Sequence, residues 1–293
     1  MICINYGIRN PNIFSRRRRR NQMSLLKKVL IKASGNQVLQ NMLEKTAKTA
    51  QYYMGIGSGD AVLTSGERAV IEKMLAVLPS PYCIFDVGSN TGQFLNLVLN
   101  RMINAQCQIH CFEPSPQAFA MLSQSVTEKI HHFIRLNPIG LGKEAGEVTL
   151  YSNEPGSQMA SLTKRRLDHM GINFSQTQII NIDTLDHYCA TNDIDRIDLL
   201  KVDVEGHELD VLQSGGARMF EKGAIKLVSF EFGGCNIDTR TYFQDFYYFF
   251  QDAHMILFRI TPSGYLYRLS RYKEIFEQFQ TTNFLAIHES LPC

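Results

Sequence analysis

Asp86, Glu113, Asp203 and Glu231 each stand at the end of a short apolar run, where a strand would carry a carboxylate to the rim of a sheet. After Asp86 comes Val87-Gly-Ser-Asn-Thr-Gly92, the spacing of a tight turn that opens a helix. Gly88 and Gly92 let that backbone turn sharply and approach a ligand where a Cβ would clash. Free amides at Gly92 and Gln93, at the positive end of the helix, suit a carboxylate. A pyrophosphate cofactor usually requires G-x-G-x-x-G, whereas this turn reads Asp-x-Gly-x-x-x-Gly, and Asp86 would repel a pyrophosphate while attracting a positive charge. Glu113, in His110-Cys-Phe-Glu-Pro114, follows at about the 20-residue interval of an acid that accepts hydrogen bonds from ribose hydroxyls. A nucleoside joined to a cationic amino acid has both features. The expected ligand is therefore S-adenosylmethionine, held by Asp86, Gly88, Asn90, Thr91, Gly92, Glu113, Pro114 and Asp203.

A second group, Asp203, Glu205, His207 and Glu208, crowds the end of a later apolar run. An alcohol is a poor nucleophile until its proton is being removed, so positioning and a general base share the work of alkylating it, the base contributing roughly 10²- to 10⁴-fold. His207 titrates near neutrality and is the natural base, although Glu205-Gly-His-Glu208 reads equally well as a helix start whose acids answer the dipole. Asp203 needs a reason to sit at the end of a buried strand: it could orient the acceptor, take its proton or bind a cation. Glu231 ends the next run, and two neighbouring carboxylates repel unless a proton, a base or a metal ion lies between them. Magnesium held by Asp203 and Glu231 is one such solution. The candidate catalytic residues are Asp203, His207 and Glu231. Asp183 and Asp186 flank Thr184, a plausible N-cap, and read as capping residues.

Such residues must be placed by a sheet. From Tyr82 onward, apolar runs over 83–87, 109–112, 132–136, 197–203 and 225–230 alternate with helical patterns, which predicts right-handed βαβ units. Runs at 147–151 and 178–182 surround a polar stretch, 152–173, and mark an insertion at about 143–180. An aromatic-rich helix over 242–250 leads to two last strands, 255–260 and 284–287, an antiparallel finish. The expected fold is α/β: a Rossmann-like, mostly parallel seven-stranded sheet with helices on both faces and an antiparallel final strand, plus N-terminal helices. Those helices occupy 24–53 with a break at Gly35, and Thr64-Ser-Gly-Glu67 reads as a capping box for a further helix to about Leu78. The expected divisions are a disordered basic tail at 1–22, a helical segment at 23–80 and the main domain at 81–293.

The chain has 293 residues with 30 Lys and Arg against 28 Asp and Glu, and Arg16 to Arg20 form one basic run. Without that run the remainder is slightly acidic, with no basic stripe to track phosphates. Asn137-Pro138-Ile139 resembles the motif that holds a flipped base, but it lacks the second proline and the aromatic and follows the third strand rather than the fourth. A nucleic-acid partner is therefore disfavoured against a small-molecule or glycan hydroxyl acceptor. Non-catalytic cofactor binding within an assembly is a further alternative. Scattered cysteines without a Cys-x-x-Cys pair imply neither zinc nor a disulfide framework. No apolar run approaches the roughly 20 residues needed to span a bilayer, and no signal peptide is evident, so the default expectation is a cytoplasmic protein. The oligomeric state stays open, a homodimer included.

Taken together, the motifs Phe85-Asp-Val-Gly-Ser-Asn-Thr-Gly92, Phe112-Glu-Pro114, Asp183-Thr-Leu-Asp186 and Asp198-Leu-Leu-Lys-Val-Asp-Val-Glu-Gly-His-Glu208 resemble the FkbM-type methyltransferases. The first two mark methyltransferases broadly. The last, followed by Val211-Leu-Gln-Ser-Gly215 and Phe230-Glu231, is specific to the family, and the resemblance covers about residues 82–287. It implies O-methylation of a hydroxyl on a sugar or polyketide-type metabolite. The N-terminal helices with Gly55 to Gly59, and the loop Gly233 to Arg240, go beyond the general pattern and are expected to shape the acceptor site.

Overall fold

The structure, a computed structural model, describes residues 25–59, 61, 64–102, 106–126 and 133–292. The basic run Arg16–Arg20, the rest of the 1–22 tail and His132 lie outside the described residues. The elements begin with α1 (Leu25–Ala33), α2 (Gln37–Tyr53), α3 (Arg68–Val77), β1 (Tyr82–Val87), α4 (Gln93–Arg101), β2 (Cys107–Phe112), α5 (Pro116–Ser125) and β3 (Ile134–Asn137). There follow β4 (Gly140–Leu141), β5 (Gly146–Ser152), β6 (Gln176–Asp183), α6 (Leu185–Thr191), β7 (Ile197–Val202), α7 (Ala217–Glu221) and β8 (Ile225–Phe232). The last are α8 (Cys235–Thr239), α9 (Phe243–Asp252), β9 (Met255–Ile260), β10 (Leu266–Arg268) and β11 (Thr282–His288). The chain divides into two compact units between Lys48 and Thr49. In the first, the apolar side chains Val38 and Met42 of α2 are exposed.

In the second unit, strands apolar on both faces form the sheet interior, as parallel pairing requires. β3, β2, β1, β7 and β8 pair parallel in that order, β11 enters antiparallel beside β8, and β9 and β10 complete the edge. The sheet thus has eight strands rather than the expected seven. The extra one, β10, is the excursion between the two closing strands, which folds back antiparallel on β9 through the Thr261–Tyr265 turn. The insertion builds its own three-stranded sheet, β4-β6-β5, in which β5 and β6 pair antiparallel from Gly146↔Ile182 to Ser152↔Gln176.

Two apolar cores lie against the main sheet. One gathers Phe85, Phe230 and Phe284 with Phe243, Phe246 and Phe250 of α9, and the other gathers Ile84, Leu199, Leu227 and Leu285 with α3 and α4. Phe230, 2% exposed, stacks on Phe246 at 4.9 Å, Phe250 at 5.1 Å and Phe284 at 5.4 Å between ring centroids. Thr184 caps α6 by accepting from the His187 amide at 3.1 Å, and Asp186 accepts from the Arg218 and Met219 amides at the start of α7. The capping box expected at Thr64–Glu67 does not form. α3 starts at Arg68 without a side-chain cap, and the Glu67 carboxylate turns inward to accept from the Ser65 hydroxyl at 2.8 Å. Phe230→Ala removes the ring that joins β8 to α9 and β11, and the expected loss is about 3–5 kcal/mol in urea unfolding. A loss below about 1 kcal/mol would mean that the stack does not hold this side of the sheet together.

Candidate active site

The turn after β1 is locked by its own backbone. The Gly88 and Ser89 amides both donate to the Phe112 carbonyl at 3.0 Å, and the Ser89 hydroxyl donates to the Asp86 carbonyl at 2.7 Å. A Cβ on Gly88, at φ +82°, would run into the carbonyl oxygen of Asp203, so only glycine lets β1 and β7 end this close together. Asn90 is also left-handed, at φ +45°, and its side chain accepts from the Thr91 amide at 2.8 Å. Gly92, at φ +89°, sets the first turn of α4. Glu113 ties this turn to β2: one carboxylate oxygen accepts from Asn90 N at 2.9 Å and the other from Ser115 N at 2.8 Å. Burial pushes its carboxyl up to about 7, against those two donors.

Beneath the turn, strand register places Asp86 beside Lys201 and Lys201 beside Ser229. Because side chains alternate along a strand, Lys201 shares a face with Asp203 two residues on. The Lys201 ammonium lies 3.0 Å from Asp203 Oδ2, 4.0 Å from Asp86 Oδ1 and 5.5 Å from the centroid of the Phe94 ring. Burial disfavours its charge, but Asp203, Asp86 and Glu67 together hold it above the ordinary lysine range. Burial raises the Asp86 carboxyl, with Lys201 opposing, and neither of its oxygens has a hydrogen-bond partner. Burial likewise pushes Glu67 up to about 7 against the pull of Lys201.

Around the rim, Glu231 is raised well above the usual range by burial and then by Asp203. Burial, with Asp203 adding to it, pushes Glu205 up to about 8 while Arg165 opposes. Glu208 accepts from Val204 N at 3.1 Å and Gly206 N at 3.0 Å, and its second oxygen is buried without a partner. No three His, Cys, Asp or Glu side chains among the described residues gather as a metal-ligand set. The magnesium expected at Asp203 and Glu231 finds no support in this arrangement. The cation beside Asp203 is Lys201, an ammonium supplied by the same strand.

A cavity lies over these strand ends. Gly88, Asn90, Glu113, Pro114, Asp203, Glu205 and His207 line one side, and Leu141, Leu150, Ile180 and Ile182 give it an apolar wall. Ser157, Gln158, Ala160, Ser161 and Leu162 of the insertion line another side of it as a strap. The strap is tied to the turn after β7 at three points. The Ser161 hydroxyl donates to the Glu205 carbonyl at 2.8 Å, Thr163 Oγ1 lies 3.0 Å from His207 Nε2, and Arg165 pairs with Glu205 at 2.7 Å and Asp238 at 3.3 Å. His207 Nδ1 lies 2.8 Å from Asp210, so both ring nitrogens are engaged.

Of the residues named from sequence, Gly88, Asn90, Glu113, Pro114, Asp203 and His207 meet on the cavity wall. Asp86 lies below it, Thr91 and Gly92 shape the turn, and Glu231 stands beside Asp203 on the sheet face rather than on the wall. Sequence reasoning passed over Lys201, Glu67, Arg165 and the strap. A lysine inside the apolar run Ile197-Asp-Leu-Leu-Lys-Val202 was a signal, because a charge in a covered strand demands partners. Lys201→Met leaves two carboxylates without their cation and is expected to cost about 3–5 kcal/mol in urea unfolding at pH 8. Asp86→Asn in the same chain should recover part of that loss. A cost under about 1 kcal/mol would show that the ammonium does not hold the cluster.

The family description "Methyltransferase FkbM domain" matches residues 86–267, more than half of the chain. "Methyltransferase 1" of Beauveria bassiana is 30% identical over 162 residues, 49% of this chain and 63% of that protein. "Hexuronic acid methyltransferase AglP" of Haloferax volcanii is 26% identical over 148 residues, 50% of this chain and 56% of its own length. "2-O-methyltransferase NoeI" of Sinorhizobium fredii is 25% identical over 146 residues, 47% of this chain and 58% of its own length. The matches thus span less than two thirds of each relative. Among solved structures, methyltransferase FkbM from Methylobacillus flagellatus aligns with a TM-score of 0.42 at 11% identity, over 84% of this chain and 60% of that one. With the cofactor-type turn, Glu113 and the acid-rich end of β7 all inside the matched span, the chain belongs to the FkbM methyltransferase family.

Proposed function

We propose that the chain transfers a methyl group from S-adenosylmethionine to a hydroxyl oxygen of a sugar or polyketide-type acceptor. The observation that carries this reading is the cavity wall itself, with Glu113 on one side of the Gly88–Asn90 turn and Asp203 on the other. Each Glu113 oxygen spends one lone pair on a backbone amide and keeps another for a ribose hydroxyl. Leu141, Ile180 and Ile182 offer an apolar wall to a purine. When bound, the cofactor supplies an electrophilic methyl on a positively charged sulfur. Asp203 and Glu205 line the wall there as acidic neighbours, and a cation brought beside them favours the charged form of Glu205 that burial opposes. The Asp203 carboxylate, at 36% exposure against 21% for Glu205, receives the acceptor's hydroxyl hydrogen bond and then its proton. His207, held by Asp210 and Thr163, orients the strap that keeps water out. The relative named a 2-O-methyltransferase supports oxygen as the acceptor atom.

Calorimetry tests the cofactor: S-adenosylhomocysteine binds and NAD does not, and the reverse result would remove the reading. With an acceptor in hand, Asp203→Asn is expected to lower kcat about 100-fold or more. Unchanged turnover would take the proton from Asp203.

The raised carboxyls give a second test. Between pH 6.5 and 8.5 Glu113 and Glu205, with values of about 7 and about 8, lose protons in the folded state that an unfolded chain has already lost. The stability they lend at low pH therefore fades as pH rises, and the ligand-free melting temperature is expected to fall by roughly 3–6 °C across that window. Over the same window the affinity for cationic S-adenosylmethionine should rise relative to neutral S-adenosylhomocysteine. A constant ratio would mean that these acids do not act on the sulfonium.

A further inference from the structure

A helix of a globular domain normally turns its apolar stripe toward a core. α2 has the stripe without the core, for none of its 17 residues is buried. At helical spacing Val38, Leu39, Met42 and Leu43 fall on one side and Gln37, Asn41, Glu44 and Lys48 on the opposite one, and Val38 and Met42 are 71% and 60% exposed. α1 repeats the arrangement over nine residues. Val29, Leu30 and Ala33 share one side, Lys28 and Lys32 another, and Leu30 is 59% exposed. Ile31, also exposed, stands among the lysines. Charge divides the chain at the same place. Residues 1–48 hold 11 Lys and Arg, Arg16 to Arg20 among them, against one acid, Glu44, whereas residues 49–293 hold 19 against 27. A formal net charge of +2 conceals this split. Both helices lie outside the family match at 86–267.

We propose that α1 and α2 seat the chain on an anionic lipid surface, each lying in the plane of the headgroups with Val29, Leu30, Val38 and Met42 among the acyl chains. Binding of this kind draws on two sources, apolar side chains leaving water and basic side chains meeting lipid phosphates, and residues 1–48 supply both. No helix among the described residues is long and apolar enough to cross a membrane, so these two lie on the surface rather than through it. Other occupants answer only half of the pattern. A nucleic acid would match the basic residues and leave the apolar faces in water. A second copy meeting these faces would cover them, but it would bring together two segments that each carry a net charge of +10. An anionic bilayer takes up the apolar faces and the charge together. The proposal stands apart from the methyl transfer and does not depend on it.

The test sediments the full chain with vesicles of phosphatidylcholine alone and with vesicles of about one-third phosphatidylglycerol, at about 0.15 M salt. The anionic vesicles should bind at least about tenfold more protein, and less of it as salt rises. Leu30→Gln with Met42→Gln leaves charge and helix preference nearly as they were and should lower the partition about tenfold. Lys28→Gln with Lys32→Gln should lower it about fivefold or more. An unchanged melting temperature shows that each variant keeps the main domain folded. The chain has no tryptophan, so Val29→Trp gives a single reporter. Its emission should move to the blue on anionic vesicles and be quenched by brominated acyl chains. Equal binding to both kinds of vesicle, or anionic binding that the Leu30 and Met42 pair leaves unchanged with no shift from the tryptophan, overturns the proposal. So does binding to polyuridylate without binding to vesicles, which assigns the basic residues to nucleic acid. A dimer in sedimentation that the same pair of substitutions splits, with vesicles left unbound, assigns the apolar faces to a second copy and overturns it as well.

Discussion

The ammonium of Lys201 sets the terms for everything at the carboxyl ends of the central strands. It is buried between Asp86 on β1 and Asp203 just past β7, with Glu67 acting on it from the start of α3. Taking one ammonium and three carboxyls out of water is expensive, and their attraction offsets that only while the partners stay in place. The cluster therefore contributes specificity of placement more than net stability. It holds the end of β1 beside the end of β7 and draws in Glu67, and it leaves the Asp203 carboxyl at the cavity edge with Lys201 against one oxygen. The repulsion between Asp203 and its acidic neighbours is met in part by this cation, which is covalently part of the sheet.

The insertion does for the open side of the cavity what Lys201 does below. A segment that lines a cavity without joining the core is held by polar ties rather than by apolar packing. Arg165 spans two otherwise separate pieces, Glu205 in the turn after β7 and Asp238 in α8, and Ser161 and Thr163 fasten the same stretch to Glu205 and His207. His207 thus belongs to the strap's anchorage as much as to the wall. Its two engaged nitrogens leave it less free than Asp203 to meet an acceptor under the proposed transfer.

What could be read in the sequence was local. The turn from Asp86 to Gly92, the acid at Glu113, the Thr184 cap and the alternation of strands and helices depend on residues a few positions apart, so their spacing carried the information. The pairing of β5 with β6 was legible as two extra strands, but their departure into a separate sheet was not, because nothing in either run states its partner. Glu67 looked like the end of a capping box because Thr64-Ser-Gly-Glu67 has the right spacing. Burial against Lys201, 134 positions away by number, overrode that local preference. The eighth strand was lost for a similar reason: Leu266–Arg268 is too short and too exposed to show a pattern, and only β9 holds it in extension. Asn283 reads as an interruption in an apolar strand until β11 is laid beside β8 and its neighbour proves to be Glu231.

Under the proposed transfer, this surplus of acid also gives the cycle a direction. A sulfonium entering the site neutralises part of a field that otherwise keeps Glu205 and Glu231 partly protonated. Methyl transfer leaves a neutral thioether and delivers a proton to Asp203, so the charge that held the cofactor disappears as the product forms. The site then binds its product less well than its substrate without any movement of the chain.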